Sequence, residues 1–160
     1  MIKREIKSIL FDYNSLAELD EKYQELIQKA KEAAENAYAP YSKFNVGAAV
    51  LLENNEIIQG NNQENAAYPS GLCAERVAIF YANSKYPNIP IKAIAVTAST
   101  EKGFITDPIP PCGSCLQVIL ESEKRSGKPI EVLLYGQNKI TIADSVIQFL
   151  PLYFNKEMLK

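Results

Sequence analysis

Apolar residues recur along this chain first at a helical period and then at a strand period, and the change comes near residue 45. Leu16, Leu19, Tyr23, Leu26, Ile27, Ala30, Ala33 and Ala37 fall on one stripe of a helix. Ahead of it, Ser15 and Glu18 match a capping box, in which the serine oxygen and the carboxylate take up free amides of the first turn. The pattern predicts one helix that begins at Ser15 and is broken by Pro40 in the stretch Tyr38–Phe44 (YAPYSKF). Residues 2–13 read as a short extended segment with Ile6, Ile9 and Phe11 as its apolar members.

From Asn45 the runs Val46–Leu52 and Glu56–Gln59 flank a polar turn and predict a β-hairpin. Gly60–Pro69 is polar and irregular, Cys73–Ala82 is helical, and Pro87 and Pro90 punctuate the loop before a buried-type strand, Ile91–Ala98. A proline-rich loop over 99–111 leads into a helix over Cys112–Glu123. Strands over Ile130–Tyr135 and Ile140–Ala143 come next, then a short segment around Val146–Leu150 and Pro151. Helices interleaved with strands after a hairpin predict an α/β fold, a three-layer α-β-α sandwich with a mixed central sheet. No repeat, low-complexity tract or linker divides the 160 residues, so a single domain is expected.

Composition narrows the function. With 47% hydrophobic and 22% charged residues the chain is ordinary for a globular domain. No apolar run approaches the roughly 20 residues of a membrane span. Charges scattered through the first fifteen residues argue against a signal peptide, which makes the cytoplasm the expected location. Net charge is −2, and the 17 basic residues form no run, so the basic stripe of a phosphate-binding protein is missing and no nucleic-acid partner is expected. Histidine is absent altogether, which removes Ser-His-Asp and Cys-His catalysis and leaves carboxylate, lysine, tyrosine or thiolate as general base.

The three cysteines carry the chemistry. Cys73-Ala74-Glu75-Arg76 and Pro111-Cys112-Gly113-Ser114-Cys115 each lie where a loop is expected to enter a helix. Helix N-termini offer free amides and a positive dipole end, which favour thiolate over thiol. A C-x-x-C turn brings two sulfurs onto one metal, and a third from another helix start makes a tripod with the fourth tetrahedral position open to water. Glu75, two residues after the first sulfur, can stand beside such a metal without binding it and exchange protons with the water. Three thiolates on Zn²⁺ leave one net negative charge, and Arg76, one turn along from Cys73, is placed to donate to sulfur and offset it. Taken alone, C-x-x-C also serves redox pairs and structural zinc. The joint pattern C-x-E…P-C-x-x-C is that of the zinc deaminases of bases, with cysteine in place of the usual histidine.

With those residues in view, the chain resembles the small, homotetrameric, zinc-dependent type of cytidine deaminase over nearly all of residues 28–155. Besides the two metal segments, the matching stretches are Ala37–Val50 (AYAPYSKFNVGAAV), Asn62–Tyr68 (NQENAAY), Gly71–Arg76 (GLCAER) and Leu150–Phe154 (LPLYF). Residues 1–27 precede the shared part as an N-terminal extension. The resemblance implies one zinc per chain on Cys73, Cys112 and Cys115, with Glu75 as proton carrier. It implies that Phe44 packs against the base, Asn62 and Glu64 hold ribose hydroxyls, and the Ala74 amide meets the pyrimidine carbonyl. Phe154 would reach into a neighbouring subunit's site, and Arg76 and Gln117 would stand behind the metal ligands. The implied reaction is hydrolytic deamination of free cytidine and deoxycytidine in pyrimidine salvage. The sequence departs from its relatives at Leu116, where many carry arginine, which leaves Arg76 as the expected counter-charge. Two rival readings remain at this level, a deaminase of another small cytosine-bearing molecule and a zinc-stabilised module without catalysis.

Overall fold

The computed structural model describes residues 1–159. Its first strand, β1 (Phe11–Tyr13), is followed by a short 3₁₀ turn over Leu16–Glu18 and then by helix α1 (Glu21–Glu35). The hairpin strands are β2 (Asn45–Leu52) and β3 (Ile57–Asn61). Helix α2 (Ala74–Lys85), strands β4 (Ile91–Thr100) and β5 (Gly103–Phe104), helix α3 (Gly113–Ser126) and strands β6 (Glu131–Tyr135) and β7 (Ile140–Ala143) complete the regular elements. No helix among the described residues is long and apolar enough to cross a membrane.

The single helix expected from Ser15 onward is two pieces. The Glu18 carboxylate does accept from the Asn14 and Ser15 amides, but the capped unit is only the 3₁₀ turn. Leu19 then adopts extended backbone (φ −97°, ψ 155°) and tucks its side chain into the core, and the chain restarts as α1 with Asp20 as its cap. A helical period in the apolar residues cannot separate a turn followed by a helix from one helix, because both put Leu16 and Leu19 on the core side. Strand β5 leaves no mark in the sequence either; two residues are too short to show any alternation.

The sheet runs β1-β7-β6-β4-β2-β3, with β5 folded back on the end of β4. Among the described strands only β4 and β6 pair in parallel. Both β3 and β4 run antiparallel to β2, so they point the same way, and β6 points with them. Alternate residues of each strand feed opposite faces. Ala48, Val50, Leu52, Ile94, Val96, Val132 and Leu134 pack with α2 and α3. Ala49, Leu51, Ala93, Ala95 and Leu133 pack under α1 through Leu26, Ile27 and Ala30. The result is a mixed sheet with one helix on one face and two on the other. Full burial of side chains such as Leu26, Ile27, Ile119 and Leu120 contributes about 1.5–3 kcal/mol each against the exposed state.

Strand direction decides where the helices start. Helix α2 carries the chain from β3 to β4, and α3 carries it from β4 to β6, both on the same face. Two such crossovers between like-directed strands start their helices at the same edge of the sheet, above the strand C-termini. Close approach of α2 depends on Gly60 in β3. A Cβ there would come within 2.5 Å of the Ala78 amide nitrogen and 2.6 Å of the Ala74 carbonyl oxygen. Because both obstacles are backbone, no side chain can swing away. Gly60→Ala is expected to cost about 1–3 kcal/mol of stability through overpacking, lowering the thermal midpoint by ~2–4 °C per kcal/mol; thermal denaturation of the variant beside the native protein measures this.

Candidate metal centre and pocket

Cys73 is the N-cap of α2 and Cys112 the N-cap of α3, while Cys115 is the third residue of α3. The shared helix edge therefore brings all three sulfurs together, within 4.8 Å of one another. Cys73 Sγ lies 3.8 Å from Cys112 Sγ, and Cys112 Sγ lies 3.6 Å from Cys115 Sγ. Zn–S bonds of about 2.3 Å at a tetrahedral angle put sulfurs ~3.8 Å apart, a spacing that the two pairs through Cys112 match. No other group of three candidate ligands occurs among the described residues.

Three thiols this close cannot ionise independently. Without a metal, the Cys73 thiol is pushed down to about 5, chiefly because the Cys115 thiol donates to it, with Arg76 and Cys112 adding to the effect. The same contact with Cys73, together with burial, pushes Cys115 up. A divalent cation relieves that competition by replacing the shared protons, the usual coupling of metal binding to proton release. Arg76 Nη2 approaches Cys73 Sγ at 3.7 Å, so the one guanidinium near the cluster points at sulfur as its spacing suggests. Its Nε is buried with no hydrogen-bond partner among the described residues. Leu116 makes no contact of this kind; it is buried in the core between the sheet and α2–α3.

Glu75 is only 4% exposed. Burial is the main force holding its carboxyl above the usual carboxylate range, with the Cys73 charge adding to it. Burial between sulfurs and a cavity thus raises this acid's affinity for its proton. The cavity measures about 690 Å³, and Glu75, Cys73, Cys112, Arg76, Phe44, Asn62 and Glu64 all line it. Seven residues drawn from separated segments thus converge on one space large enough for a small organic molecule.

The other expected residues take varied positions around this cavity. Ala74, fully buried, opens α2, where a first-turn amide has no partner within the helix. Asn62 is already occupied in part, since its Oδ1 accepts from the Val46 amide at 2.8 Å and its Nδ2 donates to the Phe44 carbonyl at 2.9 Å. Glu64 accepts from the Tyr41 and Ser42 amides at 2.9 and 3.2 Å. The Ser42 hydroxyl and these amides hold its carboxyl below the usual range. Phe154 does not line this pocket; it lies in the tail, 56% exposed. Gln117 donates its Nε2 to the Phe154 carbonyl at 3.0 Å. Tyr41, Tyr68, Leu72, Ile109 and Pro110 also line the pocket. Their only signal in the sequence is adjacency to the metal segments and the YAPYSKF and NQENAAY stretches.

Known proteins share this sequence pattern and this fold. A cytidine deaminase from Sporosarcina psychrophila is 44% identical over 134 residues, spanning 84% of this chain and 92% of the relative. One from Halalkalibacterium halodurans is 48% identical over 98 residues, spanning 61% of this chain and 70% of the relative. The crystal structure of cytidine deaminase from Burkholderia pseudomallei superposes with a TM-score of 0.71 at 39% identity, covering 82% of this chain and 98% of that one. That of the enzyme from Mycobacterium tuberculosis gives 0.66 at 28% identity, covering 85% and 99%. Residues 20–127 match the family model of the cytidine and deoxycytidylate deaminase zinc-binding region, and with its three sulfurs, buried glutamate and pocket in this arrangement the chain belongs to that family.

Proposed function

We propose that this protein catalyses the hydrolytic deamination of free cytidine and deoxycytidine to uridine and deoxyuridine with release of ammonia, as a step of pyrimidine salvage in the cytoplasm. The observation that carries the reading is the buried carboxyl of Glu75, set beside three converged sulfurs on the wall of a pocket of about 690 Å³. Zinc, when held by Cys73, Cys112 and Cys115, supplies the Lewis acidity that makes a water molecule a nucleophile at neutral pH.

The chain's own residues do the rest. Glu75 takes a proton from the attacking water and delivers it to N3 of cytosine, which makes C4 electrophilic. Once the water oxygen has bonded to C4, its remaining proton passes through Glu75 to the exocyclic amino group, so that the C4–N bond breaks with ammonia as the leaving group and the added oxygen becomes the C4 carbonyl. The raised affinity of Glu75 for protons suits both transfers, because the group must accept and release within one cycle. Phe44 packs against the base and the Ala74 amide meets the pyrimidine carbonyl. Asn62 and Glu64 hold the sugar hydroxyls. Arg76 offsets the charge of the sulfur cluster, and Gln117 acts from behind it by holding the tail that carries Phe154.

The exposed ring of Phe154 suits a residue that completes a neighbouring subunit's pocket, and we read the working form as a homotetramer of identical chains. All 160 residues are read as one catalytic domain that includes an N-terminal extension, residues 1–27, of which 20–27 fall within the family match. The pocket's one lining cation, Arg76, is directed at sulfur, and Glu64 places a carboxylate in the lining, so a nucleoside suits it better than a nucleotide.

Three measurements test this reading. Ultraviolet monitoring should show turnover of cytidine and deoxycytidine, with their 5′-monophosphates at least ~100-fold slower, because bringing like charges together costs several kcal/mol. Glu75→Gln should retain a full zinc-to-chain ratio while kcat falls by about 10²–10⁴-fold or more; substantial turnover with metal present would remove Glu75 from the proton path. Stripping zinc with a chelator should abolish turnover, expose three titratable thiols per chain and lower the thermal midpoint, and added zinc should reverse all three.

A further inference from the structure

Asn62 and Glu64 give much of their hydrogen-bonding capacity to the protein itself, and all of it goes to one loop. The segment from Tyr38 to Val46 carries Phe44 into the pocket without regular secondary structure until Asn45. Asn62 meets it immediately after the point where the Phe44 ring is attached: its Nδ2 donates to the Phe44 carbonyl at 2.9 Å, its Oδ1 accepts from the Val46 amide at 2.8 Å, and its own amide donates to the Val46 carbonyl at 3.1 Å. Glu64 holds the other half, since its Oε2 accepts from the Tyr41 and Ser42 amides. Backbone bonds from Tyr38 to the Asn62 carbonyl (3.0 Å) and from Glu64 to the Tyr38 carbonyl (2.8 Å) lock the two segments side by side.

The loop needs such a hold. Lys43, immediately before Phe44, has left-handed backbone with φ of 57°, a conformation that side chains other than glycine adopt only where their surroundings enforce it. Around Phe44 the enforcing contacts are few: the Lys43 amide donates to the Ala39 carbonyl at 3.0 Å, the Phe44 amide donates to the Ser42 hydroxyl at 3.1 Å, and the Phe44 carbonyl is taken by Asn62. The ring itself is only half-buried, so packing alone does not fix it.

We propose that Asn62 is a positioning residue for Phe44, which sets the aromatic ring against the base by holding its backbone, independently of any bond Asn62 makes to the sugar. Sugar recognition and base recognition then share one side chain. A ligand that engages Asn62 also stiffens the platform on which its own base rests, and a change at Asn62 disturbs base binding even when the sugar has nothing to offer. This rests on reading the pocket as a cytosine-nucleoside site.

The test separates the two tasks with a substrate that lacks both secondary hydroxyls, 2′,3′-dideoxycytidine. Asn62→Ala and Asn62→Asp are compared with the native enzyme on cytidine and on the dideoxy substrate, each in the native and the Phe44→Ala background. Asn62→Asp keeps an acceptor for the Val46 amide but removes the donor to the Phe44 carbonyl, and it serves if the alanine variant fails to fold. The expected result is a loss in kcat/KM of about tenfold on dideoxycytidine, carried mainly by KM, shrinking below ~3-fold once Phe44 is alanine. A loss confined to cytidine, or one undiminished in the Phe44→Ala background, would overturn the proposal. Hydrogen exchange of the ligand-free proteins decides the clamp without any turnover. Amides of Phe44–Val46 should exchange about tenfold faster in the Asn62 variants, and unchanged exchange there also overturns it. A native protein inert toward both nucleosides would instead defeat the nucleoside reading and leave the exchange comparison to judge the clamp.

Discussion

Everything at the site depends on two helices beginning at the same place. A tripod of sulfurs needs three atoms within about a bond diameter of one ion, and sequence neighbours supply only two, Cys112 and Cys115. The third comes from Cys73, thirty-nine residues earlier, and it arrives because β3, β4 and β6 point the same way, so that the helices leaving β3 and β4 both start at one edge. Gly60 lets α2 press against β3, and the shared core beneath α2 and α3 holds the pair at that spacing. The metal centre is thus a property of the sheet's strand directions before it is a property of the cysteines.

That geometry sets an electrostatic problem. Three sulfurs crowd at two positive helix ends, and one guanidinium, Arg76, faces them. Where a second cation could have stood, Leu116 instead packs into the core, so this position contributes adhesion between α3 and its neighbours rather than charge. The surplus negative charge and the dry surroundings then act together on Glu75, with burial the larger influence on its carboxyl. The proton affinity of this carboxyl is set chiefly by where the backbone buries it.

The sequence discloses the site more fully than the outline of the fold. Short, rigid segments with unusual residue types carry their meaning locally: Cys73, Glu75, Cys112 and Cys115 are readable because few chemistries want those types at those spacings. Strands β2, β4, β6 and β7 are readable because each side faces a core and its apolar residues crowd accordingly. The split between the Leu16–Glu18 turn and α1 is not, since the break is a backbone rotation at Leu19 that leaves its side chain on the same face. Nor can the sequence reveal that the Asn62 side chain braces the Phe44 backbone, because a polar residue in a polar loop looks the same whether it meets solvent, ligand or main chain. Tyr41, Tyr68 and Ile109 stay hidden for a related reason, as pocket walls are defined by convergence in space.

Strand β1 bears on how the molecule comes into being. It pairs only with β7, where Phe11, Asp12 and Tyr13 lie opposite Ile142, Thr141 and Ile140, and Asp12 is fastened there by Thr141 and Lys139. Among the described strands, the earliest in the sequence therefore has its partner 129 residues later, at the Asp12–Thr141 pair. While the middle of the chain can close the hairpin and its crossovers as they emerge, residues 11–13 must wait until the sheet has reached β7. The outer edge of β7 stays open until then, and residues 11–13 are what finally seal it.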